Sequence, residues 1–98
     1  MSEMSFLPSL RTFLKSNNFI YTVRKYRYTS PGGFTEVEGV GRCKRTFIMQ
    51  IHSLTELAPY MSESGFDSLS SWQQAIRKFI KPGEPILLYR VEVRNDEH

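Results

Sequence analysis

The sequence is poor in the residues that build disulfides and metal sites. Its 98 residues include one cysteine, Cys43, and two histidines, His52 and His98. A single cysteine excludes an internal disulfide, and one cysteine with two histidines is too few for a zinc site of the usual ligand count. We therefore expect no metal, and no other cofactor is indicated.

Long apolar runs are missing as well. No segment approaches the roughly 20 consecutive apolar residues that a membrane-spanning helix needs. Glu3 stands near the start, where a secretory signal would carry Lys or Arg before an apolar stretch. These features predict a cytoplasmic protein with no membrane among its partners.

A chain of this length is expected to form one domain. About 100 residues bury roughly two thirds of the unfolded surface, which suffices for a single core without disulfides. We expect one domain over residues 1–98, with residues 95–98 as a disordered tail. The sequence leaves the oligomeric state open.

Positive charge is concentrated in the first half of the chain. Residues 11–45 hold eight Lys or Arg and two Glu, whereas the net charge of the whole chain is only +3. Such a local excess of cations favours a polyanionic partner, and nucleic acid is the leading candidate. The alternative is a solvated charged surface without a ligand.

Apolar periodicity predicts two helices and a third, shorter one. Residues 7–14 have helical spacing, and Ser53 to Glu56 has the spacing of a capping box before a short helix. A longer helix is predicted to begin near Ser70. Its buried stripe is predicted to comprise Trp72, Ala75, Ile76 and Phe79.

Four segments rich in β-branched and aromatic residues are predicted as strands. They are residues 19–28, 34–40, 46–51 and 86–93. A turn at Ser30-Pro31-Gly32-Gly33 and a basic connection with the sequence GVGRCKR are expected to join the first three. The resulting order of helix, three strands, two helices and strand defines an α+β fold.

The candidate binding residues are cations interleaved with aromatic rings, the combination that holds single-stranded nucleic acid by stacking and charge. The first group is Thr22, Arg24, Lys25, Tyr26, Arg27 and Tyr28, and the second is Arg42, Lys44 and Arg45. Strand alternation places Thr22, Arg24 and Tyr26 on one face, opposite the core-facing Tyr21 and Val23.

Each group also has a structural interpretation. Thr22 is an ordinary strand residue, and the tyrosines can pair across a twisted hairpin. Arg24 can form an ion pair with Glu36 or Glu38 on a neighbouring strand. The second group can be a solvated loop.

Several segments together resemble the ASCH domain family of the PUA-like superfamily. They are the strand YTVR (Tyr21 to Arg24), the helical segments SLTELAPY and SSWQQAIRKF, and the closing strand LLYRVEV. Thr22 and Arg24 match the second Thr and the Arg of the family pattern K-T-x-T-x-R, and the similarity in element order covers nearly the whole chain. The resemblance implies a small, partly open PUA-like β-barrel flanked by short helices. Its cleft would take RNA, nucleotides or modified nucleosides.

Some small bacterial members of that family are acetylcytidine amidohydrolases that use a Lys, a Thr and a Glu. Thr22 matches the Thr, but Phe19 stands at the Lys position and Ser71 near the Glu position. A threonine hydroxyl has too high a pKa to act without a base. We therefore predict a module that binds RNA or another single-stranded nucleic acid. A small hydrolase acting on a modified nucleoside or on RNA, with Thr22 as a catalytic residue, and a protein-interaction module remain alternatives.

Three further residues are interpreted structurally. Arg42 and Lys44 flank Cys43 and would lower the pKa of its thiol, but no convincing base for a catalytic thiol can be identified. His52 has no catalytic constellation nearby and is expected to be structural or exposed. Trp72 is expected to lie in the core.

Overall fold

The structure, a computed structural model, describes residues 2–28 and 33–94. Of the predicted turn Ser30-Pro31-Gly32-Gly33, the first three residues lie outside the described residues, as does the predicted tail 95–98. The elements are β1 (Ser2–Met4), α1 (Pro8–Asn17), β2 (Phe19–Arg24), β3 (Phe34–Val37), β4 (Gly41–Gln50), a 3-10 helix (Leu54–Glu63), α2 (Leu69–Phe79) and β5 (Leu87–Val93). The predicted α+β class is confirmed.

One five-stranded sheet organises the fold. The strand order is β1-β3-β4-β5-β2, in which β1 runs parallel to β3 and the other neighbours are antiparallel. β5 lies between β4 and β2, as its nearly continuous apolar start predicts. β1 and β2 are the two edges of this sheet.

Both faces of the sheet are covered. Successive side chains of a strand point to opposite faces, so Leu88 and Val91 of β5 belong to different layers. Val91 packs in a cluster with Met4, Leu14, Ile20, Val37 and Cys43. Leu88 packs in a second cluster with Ile51, Leu57, Trp72, Ile76 and Ile80. α1 therefore covers one face, and the 3-10 helix and α2 cover the other.

The bounds of α1 follow from local chemistry. Pro8 stands in the first turn, where its missing N–H leaves no bond unmade. Asn18 ends the helix with a positive φ of 76° and donates its N–H to the carbonyl of Leu14 at 2.8 Å. The carbonyl of Asn18 accepts from the N–H of Val93 at 2.9 Å, which ties the start of β2 to β5.

The caps of the other two helices differ from the prediction. α2 has a reciprocal capping box between Ser68 and Ser71. The predicted box at Ser53 does not form, because the Ser53 side chain makes no capping bond. The carboxylate of Glu56 instead accepts the N–H of His52 at 3.1 Å. The 3-10 helix runs through Pro59 to Glu63, beyond the interruption expected there.

The predicted strand bounds were wrong in the basic half of the chain. β2 ends at Arg24, so Tyr26 and Tyr28 follow the strand, and β3 ends at Val37. The stretch GVGRCKR is mostly strand, because β4 already begins at Gly41. Arg42 lies directly opposite Glu36 in the register between β3 and β4. The glycines are typical of a loop, but Gly41 (φ 112°) marks only the entry to the strand.

The face of β2 that carries Thr22 is not turned away from the core, as alternation had suggested. Ile20 is fully buried in the first cluster and Thr22 is only 8% exposed. Tyr21 and Val23 pack against the second cluster. The prediction of a single core face failed because both faces of the sheet are covered.

None of the helices formed by the described residues has the length and apolarity needed to cross a bilayer.

Candidate functional site

An open cleft of about 510 Å³ lies at the end of β2. Its walls come from four parts of the chain: residues 5–10, residues 22–28, Phe66 in the loop before α2, and the face of α2 that begins at Trp72. The volume is within the range of sites for small organic ligands. The cleft therefore has room for a nucleobase-sized group.

Five of the nine predicted site residues line this cleft. They are Thr22, Arg24, Lys25, Tyr26 and Tyr28. The structure brings them together because β2 ends at Arg24 and the chain then bends, so that Lys25, Tyr26 and Tyr28 line the same cleft as the end of the strand. The remaining four, Arg27, Arg42, Lys44 and Arg45, are not among its lining residues.

The large apolar side chains that are exposed among the described residues all line this cleft. Leu7 is 51% exposed, Tyr26 is 64% exposed and Phe79 is 63% exposed, and all three line it. The prediction that Phe79 is buried was wrong, although its helical spacing with Trp72 does place both on one face of α2. A large patch of exposed apolar surface on a protein often marks a binding site.

Arg24 lines the cleft and also makes contacts that stabilise its wall. Its Nη2 donates to the carbonyl oxygen of Ser5 at 2.9 Å, and its guanidinium carbon lies 4.7 Å from the centre of the Phe6 ring. Its Nε is buried without a hydrogen-bond partner among the described residues. Burial lowers the pKa of the guanidinium, against a smaller opposing effect of Tyr28. The ion pair with Glu36 or Glu38 does not form, because β4 and β5 separate β2 from β3.

Lys25 stands beside Arg24 and is already paired. Its Nζ lies 3.2 Å from Oε2 of Glu84, and the other oxygen of Glu84 accepts the N–H of Lys81 at 2.7 Å. The hydrogen bond to Glu84 raises the pKa of Lys25. The backbone bond from Lys81, followed by the bond from Lys25, lowers the pKa of Glu84. The pair links the segment after β2 to the turn after α2.

Thr22 has no visible means of activation. It lies opposite Tyr89 in the ladder between β2 and β5. The residues that line the cleft within the described ranges include no Asp, Glu or His. A threonine nucleophile needs an adjacent base, and Lys25, the lysine in the lining, is paired with Glu84 and has a raised pKa.

The cations outside the cleft lie against the chain's own rings. Arg27 stacks over Phe47 at 4.1 Å, and Arg42 and Lys44 both lie over Phe34, at 4.0 and 4.9 Å. Arg45 is 6% exposed and lies 4.9 Å from the centre of the Tyr28 ring. Contacts of this kind contribute about 0.5–2 kcal/mol each. These four cations thus stabilise the fold around the sheet.

Cys43 is buried, and the pKa of its thiol is raised, whereas its neighbours in the sequence predicted a lowered pKa. Its side chain is fully buried, and desolvation followed by the charge of Glu36 raises the pKa of the thiol to about 11. Arg42 and Lys44 lie on the opposite face of β4, so they do not offset the desolvation. His52 is exposed, as expected. No cluster of three potential metal ligands occurs within residues 2–28 and 33–94.

Most of the residues that line the cleft were not predicted as site residues. Phe6 and Leu7 line it from the segment after β1. The sequence pattern placed Leu7 only in the apolar stripe of the first helix, and Phe6 belongs to no periodic pattern. Phe66 stacks on Trp72 with ring centres 6.3 Å apart and planes inclined by 17°. Trp72 is 2% exposed and belongs to the core, as predicted, but it also forms part of the floor of the cleft.

Comparison of the chain with protein-family models, with curated proteins and with solved structures finds no match.

Proposed function

We propose that this protein binds nucleic acid, with single-stranded RNA as its ligand, through the cleft at the end of β2. The observation that carries the proposal is the position of Arg24 and Lys25 beside the exposed ring of Tyr26 in one cleft. Aromatic rings stack on bases of any sequence, and adjacent cations neutralise the phosphates. Both requirements are met at this place.

The charge of the cleft supports an anionic ligand. Its lining within the described residues includes two cations and no carboxylate. The Glu84 carboxylate that pairs with Lys25 lies outside the lining, so a phosphate can compete with it for the ammonium group. Phosphate contacts of this kind supply affinity and make it depend on salt.

The fold that we propose is the partly open barrel of PUA-like domains, as the resemblance to the ASCH family implies. Two observations support it. Met4 of edge strand β1 and Ile20 of edge strand β2 lie in the same core cluster. The side chain of Arg24 also reaches the backbone of Ser5, directly after β1. Both observations are consistent with a sheet that curls toward a partly open barrel. A cytoplasmic location completes the proposal.

A titration of fluorescently labelled, single-stranded RNA, followed by anisotropy, tests the proposed function. We expect saturable binding that Tyr26→Ala weakens by about 1–3 kcal/mol, because one stacking ring is lost. Tyr26→Phe keeps the ring and should bind like the wild type. Equal binding by Tyr26→Ala, or no binding by the wild type, would contradict the proposal. Release of acetate from acetylcytidine that is lost in Thr22→Ala would favour the hydrolase instead.

A further inference from the structure

Tyr89 contacts the segment of residues 26–28, which follows β2 and contributes Tyr26 and Tyr28 to the cleft. Its side chain is 1% exposed, in the middle of β5. The hydroxyl accepts the N–H of Tyr28 at 3.0 Å and donates to the carbonyl of Tyr26 at 3.2 Å. One buried hydroxyl thus holds both ends of a three-residue stretch.

These two bonds matter because the stretch is irregular. The ladder between β2 and β5 ends at Arg24, so residues 26–28 lie beyond it. Within the described part of the chain, the bonds to Tyr89 are the hydrogen bonds that the structure gives the backbone of residues 26–28. The loss of either hydrogen bond should therefore make local opening of this segment easier.

Contacts between aromatic rings also stabilise the position of this segment. The rings of Tyr28 and Tyr89 meet edge to face with centres 5.4 Å apart, and Phe47 meets Tyr89 in the same way at 5.6 Å. These contacts do not need the hydroxyl. Removing the oxygen alone should therefore leave the packing around β5 in place and affect the segment above it.

We propose that Tyr89 is a positioning residue of the binding cleft, which fixes Tyr26 and Tyr28 in the orientation that stacks on RNA. This inference rests on the proposed function. Tyr89 is not itself a lining residue, so it acts through the two tyrosines of the segment. Prior ordering of a stacking ring improves affinity because the ring loses less conformational freedom on binding.

The test uses Tyr89→Phe, with Tyr21→Phe as the matched control on β2, since Tyr21 does not line the cleft. In Tyr89→Phe we expect the amide of Tyr28 to exchange its hydrogen faster and the affinity for labelled single-stranded RNA to fall roughly two- to tenfold. In a Tyr26→Ala background, the same substitution should cause a smaller loss, because one of the two rings to be positioned is absent. Tyr21→Phe should change neither quantity.

The outcomes separate this inference from the proposed function. Two outcomes overturn the positioning role alone, provided that the wild type binds RNA. One is an unchanged rate of amide hydrogen exchange at Tyr28 in Tyr89→Phe, and the other is an RNA affinity of Tyr89→Phe equal to that of the wild type. An equal affinity loss from Tyr89→Phe with and without the Tyr26 ring also overturns it. A wild-type protein that binds no RNA overturns the proposed function, and the positioning role with it.

Discussion

Arg24 and Ser5 join the two edges of the sheet. The guanidinium Nη2 of Arg24, the last residue of β2, donates to the carbonyl oxygen of Ser5, the first residue after β1, at 2.9 Å. The same guanidinium lies over the ring of Phe6. A residue that lines the cleft therefore also supports its wall.

Arg24→Ala is expected to lower the free energy of unfolding by about 1–2 kcal/mol, because a hydrogen bond and the packing on Phe6 are lost. The protein that remains folded should bind RNA more weakly by about 1.5–3 kcal/mol. Urea denaturation and RNA titration measure the two effects separately.

Glu36→Ala is the control for Arg24. Because β3 and β2 are not neighbours in the sheet, the stability effects of Arg24→Ala and Glu36→Ala should add. A coupling well above roughly 0.5 kcal/mol would show that the two side chains interact, contrary to the structure.

Phe79 and Ile76 provide a second comparison, on one face of α2. Phe79→Ala should leave stability within about 0.5 kcal/mol of the wild type, since the ring is mostly exposed, and should weaken RNA binding by about 1 kcal/mol. Ile76→Ala removes a buried side chain and should cost about 2–5 kcal/mol of stability. Comparable destabilisation by both would mean that Phe79 is part of the core.

The case of Phe79 shows how far the sequence predicts the site. Helical spacing correctly places Trp72, Ile76 and Phe79 on one face of α2. The same apolar stripe arises whether a face packs against a sheet or borders an open cleft. Which part of the stripe stays open depends on segments far away in the sequence, among them the residues after β1 and after β2 that line the same cleft.

The basic half of the chain shows a second limit. The α+β class and the approximate elements other than β1 follow from periodicity, but Arg45 and Cys43 face the same buried side of β4. A cation at a buried position breaks the apolar alternation by which a strand is recognised. Its compensation, a hydrogen bond to the carbonyl of Phe34 and stacking on Tyr28, depends on the tertiary structure. The sequence therefore predicted a loop at these residues.

The pair of Lys25 and Glu84 should make stability depend on pH at both extremes. The lowered pKa of Glu84 gives stability that is present above the unfolded carboxyl pKa of about 4.3 and lost as pH falls through the folded value. The raised pKa of Lys25 gives stability that is present below about pH 10.4 and lost as pH rises through the folded value.

Thermal melts of wild type and Glu84→Gln across the pH range measure this. The difference in Tm should be largest near neutral pH and shrink in acid and in strong alkali. Glu63→Gln controls for the loss of one carboxylate. A difference between wild type and Glu84→Gln that stays constant down to acid pH would contradict the pairing.

Cys43 should resist modification in the folded protein. With a pKa of about 11, only about one thiol in a thousand is ionised at pH 8, and the side chain is buried. A thiol reagent should therefore react only after denaturant is added. Fast reaction of the native protein with one equivalent of reagent would show that β4 is open at this residue.

Amide chemical shifts of isotope-labelled protein, recorded while single-stranded RNA is added, test most directly whether the cleft binds the nucleic acid. We expect the largest changes at Arg24, Lys25 and Tyr26 and at residues 75–79 of α2, which face them across the cleft. Changes confined to Arg42 and Lys44 on β4, with the cleft unaffected, would place the nucleic acid on the sheet and contradict the proposed site.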